Sequence, residues 1–363
     1  MKQNARLFSN RLIPPTFFLS LLYFAFVSSD CKNGGIVPPD DNKPDTTSHN
    51  FTWQIDTLGD GNGSVLYDVA IIDENNIWVV GEISMKDSQG NWINPPYNIA
   101  RWNGQQWSLQ RLSFVWDFGS GYARAEAVFG FGGNDILVSS GGSVMRWNGS
   151  SWTNLSFLCQ GTNCLGSVYR IWGQNSADFY GVGLSGSIVH WSGSNWQKLE
   201  SGTTVDFQDI WGSGTEILAV ASYGTQIPQS LKMLQINGMM VTEVSTAGLP
   251  LAVGAIWFTS GKKYYVGGAG LFSIEAPGQT WKEDTTQALY YVSSIAGQGL
   301  NDIIVGGGLG HLSHYNGSTW KHYLGTELPR LEGNYHRVSI RNQTVVAVGS
   351  LANGKAIVTI AKR

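Results

Sequence analysis

The strongest constraint on what this chain can fold into is a unit that recurs along almost its whole length. Its clearest copy runs from Ile171 to Leu199, IWGQNSADFYGVGLSGSIVHWSGSNWQKL. Variants of it begin at Asp68, Ala127, Asp209, Ala255, Ser294 and Arg337, making seven units. Each holds four short runs rich in Val, Ile and aromatics, separated by Gly or Asn-Gly turns, which reads as a four-stranded antiparallel meander. The third and fourth runs are joined at Asn103-Gly104, Asn148-Gly149, Ser192-Gly193, Asn237-Gly238, Pro277-Gly278 and Asn316-Gly317, residue types suited to tight hairpins. Trp107, Trp152, Trp196, Val241, Trp281 and Trp320 open the fourth run, a spacing of about 40–45 residues that is the length of a propeller blade. No segment sustains the 3.6-residue apolar stripe of a helix.

The seventh unit supplies three strands and stops, which leaves an open sheet edge. Residues 50–58, NFTWQIDTL, carry the fourth-strand pattern, with Trp53 in the place of Trp107. An N-terminal strand completing the last sheet closes the ring, so the fold expected for residues 51–363 is an all-β, seven-bladed propeller. In that fold the long inserts, 84–98, 112–123, 156–166, 222–231 and 324–335, all fall on one face. Irregular inserts on one face of a regular scaffold are where binding usually resides.

Composition agrees: 46 Gly and 12% aromatics suit short strands and packed sheets, and a net charge of −3 offers no surface for nucleic acid. Lys2, Arg6 and Arg11 precede the apolar run TFFLSLLYFAFV, which has the length of a signal-peptide core. Residues 1–29 are therefore expected to be an export signal. Residues 30–50 are expected to be an extended spacer, with Cys31 a candidate for lipid attachment. The chain is then secreted, periplasmic or a surface lipoprotein, and touches a membrane only through that anchor. Cys159 and Cys164 are expected to form a disulfide in an oxidising compartment.

The segment Ser313-His-Tyr-Asn-Gly-Ser-Thr-Trp320 resembles the Asp-box repeat, Ser-x-Asp-x-Gly-x-Thr-Trp. It matches at Ser313, Gly317, Thr319 and Trp320, with Tyr315 at the Asp position; Gly278, Thr280 and Trp281 match the tail. The chain thus resembles the Asp-box (BNR-like) and Trp-rich bacterial propeller repeats. That resemblance implies blade structure, in a group containing sialidases, sugar-binding lectins, sorting receptors and photosystem assembly factors.

Arg170 and Arg337 occupy one inner-strand position, and Asp68 and Asp209 occupy the same one. Blade order suggests two inter-blade ion pairs, Arg170 with Asp209 and Arg337 with Asp68. His190 and His314 share another position in different blades, too far apart for a common metal, and are read as polar groups at blade surfaces. The repeated Trp residues are read as packing between sheets, each burying on the order of 150–250 Å². Asn62, Asn148 and Asn316 fit glycosylation triplets, yet two are hairpin turns. Trp92, Tyr97, Trp116, Phe118, Tyr122, Phe157, Tyr223 and Tyr335 lie on inserts the repeat does not require, so they form the candidate binding set. No phosphate loop, metal-ligand spacing or nucleophile motif is present, so neither cofactor, metal nor catalytic residue is expected. The expected function is that of a monomeric, non-catalytic binding or scaffold module for a cell-surface glycan or envelope protein. The alternatives are a sialidase-like glycan-processing enzyme and an envelope-complex assembly factor.

Overall fold

Strand-forming runs fold where the repeat places them, in a computed structural model that describes residues 45–363 except 156–157, 161–162, 225–229 and 287–289. The signal segment, Cys31 and Phe157 lie outside the described residues. Seven four-stranded antiparallel sheets form, six of them in consecutive strand order, with two small hairpins besides. Blade one comprises Val65–Asp73, Asn76–Ile83, Tyr97–Trp102 and Trp107–Gln110. Blades two to six span 127–154, 170–199, 207–244, 253–283 and 292–322. Blade seven joins Gly333–Arg341, Thr344–Leu351 and Ala356–Lys362 to the N-terminal strand Thr52–Leu58. That last pairing runs unbroken from Thr52 against Lys362 to Leu58 against Ala356. The chain is a closed, all-β, seven-bladed propeller.

The Asn-Gly hairpins show why those two residues recur. Asn103, Asn148 and Asn316 each turn the side-chain oxygen back onto two backbone N–H groups, at 2.8–3.0 Å. The glycine that follows has φ of 92°, 97° and 95° respectively, a left-handed geometry that costs glycine nothing.

The fourth-strand tryptophans do more than fill space. Each described indole N–H that is bonded reaches back to the preceding blade. Trp107 donates to Asp56 Oδ2 (2.9 Å), Trp196 to the Leu155 carbonyl (2.7 Å), Trp281 to the Ser245 carbonyl (3.3 Å) and Trp320 to Asp284 Oδ2 (3.1 Å). Trp53 repeats the contact from blade seven to Glu327 of the blade six–seven connection, at 3.0 Å. Inner strands are tied in the opposite direction. Asp68 Oδ2 accepts from the Val128 N–H, Asp209 Oδ2 from Ile256 and Ser294 Oγ from Val338, each one blade onward. The Trp172 indole lies on Gly212 of the next blade, where an added Cβ would come within 2.3 Å of its ring.

Residues 45–50, assigned by composition to the spacer, lie along blades six and seven. The Thr47 N–H donates to the Asn316 carbonyl (3.3 Å) and the Tyr323 hydroxyl donates to the His49 carbonyl (2.9 Å). His49 Nδ1 meets His314 Nδ1 at 2.8 Å, and His314 Nε2 meets Asp302 Oδ1 at 2.9 Å. Asp302 accepts, so His314 carries its proton on Nε2 and takes one from His49 Nδ1; His49 Nε2 then accepts from Thr319 Oγ1 (3.1 Å). His314 is therefore wholly buried, not a surface group as the repeat suggests, because a residue outside the repeat covers it.

A neutral His49, donating from Nδ1, satisfies this network. Burial, followed by His314, Lys321 and Arg363, lowers its pKa to about 4. A histidine with a depressed native pKa contributes its full stabilisation above the ordinary value of about 6.5 and loses it as pH falls towards 4. His311 is also held at about 4, by burial and then by His322, so global melting alone would mix the two. The protection factor of the Thr47 amide, taken against the intrinsic exchange rate at each pH, should fall between pH 7 and pH 4, and His49→Gln should largely remove that fall. Where the strand Thr52–Leu58 closes the ring, Trp107→Phe should cost about 1–3 kcal/mol in urea unfolding, the value of a hydrogen bond to a charged acceptor.

Candidate functional site

In this meander the connections between successive blades and between second and third strands share one face, and all five long inserts lie there. The first two inserts meet at Tyr97 and Tyr122, while Trp92 lies towards Gly61 and Asn353, at the seam with blade seven. Ser113–Trp116 and Gly119–Tyr122 make a hairpin after blade one, held over blade two by the Val115 N–H on Ser143 Oγ (3.3 Å). Phe114 is buried under it, whereas Trp116 and Phe118 stack parallel at its tip, with ring centres 5.7 Å apart. Phe118 is 83% exposed and Tyr122 53%. On the neighbouring insert, Trp92 is partly exposed beneath the Lys86 ammonium, and the Arg111 guanidinium covers Tyr97 at 4.0 Å. Tyr97 and Tyr122 line the same small cavity of about 80 Å³ between these inserts.

A second feature lies over blades three and four. The hairpin Cys159–Gln160 with Asn163–Cys164 is closed by the Cys159–Cys164 disulfide. It borders a groove of about 780 Å³ whose other walls are Leu184–Ser187 and Glu200–Val205. Tyr223 stands apart on blade four, half exposed, and donates its hydroxyl to the Thr204 carbonyl. The structure thus groups Tyr97, Trp116, Phe118 and Tyr122 near blades one and two, and places Trp92 at the seam with blade seven and Tyr223 elsewhere. Tyr335 does not belong to the set. It is 1% exposed in the inner strand Gly333–Arg341 and its hydroxyl meets Thr359 Oγ1. The strand starts before Tyr335, so the tyrosine that seemed to end an insert begins a blade.

Between these features the inner strands converge on the channel. Asp68, Ala127, Arg170, Asp209, Ala255, Ser294 and Arg337 occupy one level of it, by strand register. Arg337 Nε lies 3.3 Å from Asp68 Oδ1, and Arg337 NH1 reaches across the channel to Asp209 Oδ1 at 2.8 Å. The expected pair of Arg170 with Asp209 is not formed. Arg170 NH1 instead donates to its neighbour's carbonyl at Tyr169 (2.8 Å), and its Nε is buried without a partner. One arginine takes both carboxylates because the opposite blade stands within reach of its extended side chain.

Electrostatics follow that asymmetry. Burial pushes the Asp68 carboxyl up against the pull of Arg337 and Arg170. Arg337 overcomes its own burial through Asp209 and Asp68 and is held above the usual arginine range. Burial, then Arg337, brings Arg170 down. Beyond the ring, away from the inserts, the channel holds a cavity of about 120 Å³ lined mainly by aliphatic side chains such as Val128, Ile171, Ile210 and Ile295. On the insert side, Arg124 pairs with Glu126 at 3.0 Å and lies over the Tyr67 ring. Tyr169 sits beside them with its hydroxyl pushed up by burial and by Glu126. His190 pairs with Asp178 at 2.7 Å and stacks on Tyr180, a contact within blade three. Among the described residues no group of three or more His, Cys, Asp or Glu side chains could hold a metal ion.

A ring of seven four-stranded blades, a plugged channel and one insert-bearing face define the class: a seven-bladed β-propeller. No protein-family model matches the chain, and no curated protein matches it by sequence. Solved structures do. YCF48 bound to D1 peptide superposes with a TM-score of 0.63 at 17% identity, over 88% of this chain and 99% of that one. YCF48 from Cyanidioschyzon merolae gives 0.58 at 16% identity, over 84% and 98%. The WD40 propeller domain of Doa1 gives 0.60 at 12% identity, over 86% and 98%. At these identities the likeness is one of fold.

Replacing one partner of a buried ion pair leaves the other charge uncompensated, at a cost of about 3–5 kcal/mol. Arg337→Met, which strands both Asp68 and Asp209, should fall in that range in urea unfolding. Arg170→Met removes a cation that has no carboxylate in ion-pair contact and should cost clearly less, reversing the equal weight that the shared repeat position suggests.

Proposed function

We propose that this chain is an exported, non-catalytic propeller that engages a protein partner through its long-insert face. The observation that carries this reading is Phe118, exposed at the tip of a hairpin that no blade requires and stacked on the partly buried Trp116. Aromatic side chains presented on a rigid support make strong anchors, because they bury a large area while few rotamers are lost. Tyr122 and Tyr97 line a cavity beside this hairpin, and the Arg111 cation over Tyr97 gives it a partly polar rim. The peptide-bound state of a YCF48 structure of this fold adds support, as does the export signal read in residues 1–29, with Cys31 as the proposed site of tethering.

Sialidase-like chemistry is the weaker reading. It needs several arginines free to converge on a substrate beside an activated tyrosine. Here Arg337 is engaged by two aspartates and Arg124 by Glu126. Tyr169, the tyrosine next to a carboxylate, is shifted away from ionisation.

The test is affinity capture by the full chain from its native envelope, followed by a measured Kd for the protein identified. Trp116→Ala with Phe118→Ala should weaken that complex by about 30-fold or more, the effect of losing a hot spot worth ~2 kcal/mol. Phe118→Ala alone should leave stability unaltered and still weaken the complex, which separates binding from the loss of Trp116 packing against the core. Unchanged affinity in the double variant, or exclusive recovery of a polysaccharide, would refute the reading.

A further inference from the structure

The rim of the disc carries a site of different chemistry. Between the outer edges of blades five and six runs a groove of about 530 Å³. It exists because the outer strand of blade five is only Lys282–Glu283, whereas the outer strand of blade four spans Met240–Val244. Blade six is correspondingly left uncovered at Tyr315 and Trp320. These two are direct cross-strand partners whose rings stand 5.0 Å apart at 38°, making a shallow aromatic floor. Their polar tips are already engaged: Tyr315 donates to the Gly317 carbonyl and Trp320 to Asp284. Ring faces are what they have left to offer.

The wall opposite is built from blade five. Tyr265 is 7% exposed, packed against Trp257 at 6.2 Å between ring centres, and its hydroxyl makes no hydrogen bond among the described residues, although the residue lines the groove. The ring is buried while its hydroxyl opens into the groove, where water bonds it and a ligand hydroxyl can take the place of that water. The Ser273 and Ser318 hydroxyls in the lining likewise have no partner among the described residues. The Asp284 carboxylate takes three bonds, from Trp320, the Thr286 N–H and the Thr286 hydroxyl, leaving one acceptor position. Lys263 is spoken for by Glu275 at 2.5 Å. The groove therefore presents aromatic faces, several hydroxyls and one carboxylate acceptor, with no free cation to hold an anion and too many polar groups for an aliphatic chain.

We propose that this groove binds a neutral pyranose unit, its C–H face on Tyr315 and Trp320 and its hydroxyls on Tyr265, Ser273 and Asp284. Stacking on ring faces and hydrogen bonding at the edges are the two demands of such a sugar, and the groove supplies both. The site is independent of the long-insert face and would persist if that face proved to have no partner.

Calorimetric titration of the full chain with maltotetraose, cellotetraose and chitotetraose, with tetragalacturonate as an acidic control, tests this. At least one neutral tetrasaccharide should bind, and the acidic one should bind more weakly. Tyr265→Phe removes only a hydroxyl without a protein partner, so it should leave the melting temperature unchanged and weaken binding about fivefold, the effect of one lost hydrogen bond. Asp284→Asn keeps an acceptor for Trp320 and gives a second measure of the same wall. The proposal is overturned if no neutral tetrasaccharide binds at millimolar concentration, if tetragalacturonate binds best, or if affinity is indifferent to both substitutions.

Discussion

Everything in this molecule depends on blade seven being assembled from both ends of the chain. A blade cannot bury its two faces alone; each needs a neighbour on either side. The core between the last and first blades shows the consequence directly, since Val346, Val348, Val358 and Ile360 of blade seven pack in one cluster with Leu66, Val69, Ile77 and Val79 of blade one. Without the strand Thr52–Leu58, the edge of Ala356–Lys362 would present a row of unpaired backbone groups. Trp107 would also lose its acceptor, Asp56, which lies on that strand. Closure therefore joins a backbone ladder, a hydrophobic interface and an indole hydrogen bond at one seam. The neighbouring segment 45–50 reinforces it through the His49–His314–Asp302–Arg363 chain.

The charged level in the channel is subordinate to that ring but shapes what the protein can do. Asp68 and Asp209 serve twice, capping an N–H of the next blade with one oxygen and meeting Arg337 with the other. Buried carboxylates so engaged are poorly suited to proton transfer with a substrate. Arg337 crossing to Asp209 also obstructs the channel, leaving the cavity beyond it small. That leaves the insert face and the rim, rather than the axis, for the recognition proposed above.

How far the sequence discloses these features follows from what periodicity can encode. A repeat records which residues share a position, so the blades, their hairpins, the closing strand and the face carrying the inserts were all legible. It does not record distances across the ring. Arg170 and Arg337 are equivalent by position, and only the width of the channel decides that Arg337 reaches both aspartates. Nor does it record register within a residue or two, which is why Tyr335 looked like loop and is core. His314 was misjudged because His49, its cover, lies outside the repeat. The rim groove left no sequence signal at all, since it arises from an outer strand two residues long and from a tyrosine whose hydroxyl happens to face outward.

The aromatic residues show the same limit and a way past it. Fifteen tryptophans make composition useless for locating a site, yet the physical state of each indole separates them. The scaffold set is packed against a neighbouring blade, and Trp53, Trp107, Trp196, Trp211, Trp257, Trp281 and Trp320 use their N–H groups there as well. Trp102 and Trp191 are buried with the N–H unpartnered, so hydrogen bonding alone is an incomplete criterion. Trp92 and Trp116 sit on inserts outside the repeat and make no inter-blade hydrogen bond among the described residues. They differ from the partly buried Trp147 and Trp152, whose rings pack on Trp78 of the preceding blade, and Trp116 is matched by a phenylalanine stacked on its open side. Phe118, stacked on a Trp116 that the core beneath holds in place, faces water and incurs a hydration cost that folding does not offset. Covering it with a partner removes that cost, which makes the hairpin tip, rather than any repeated tryptophan, the place where binding free energy is still to be gained.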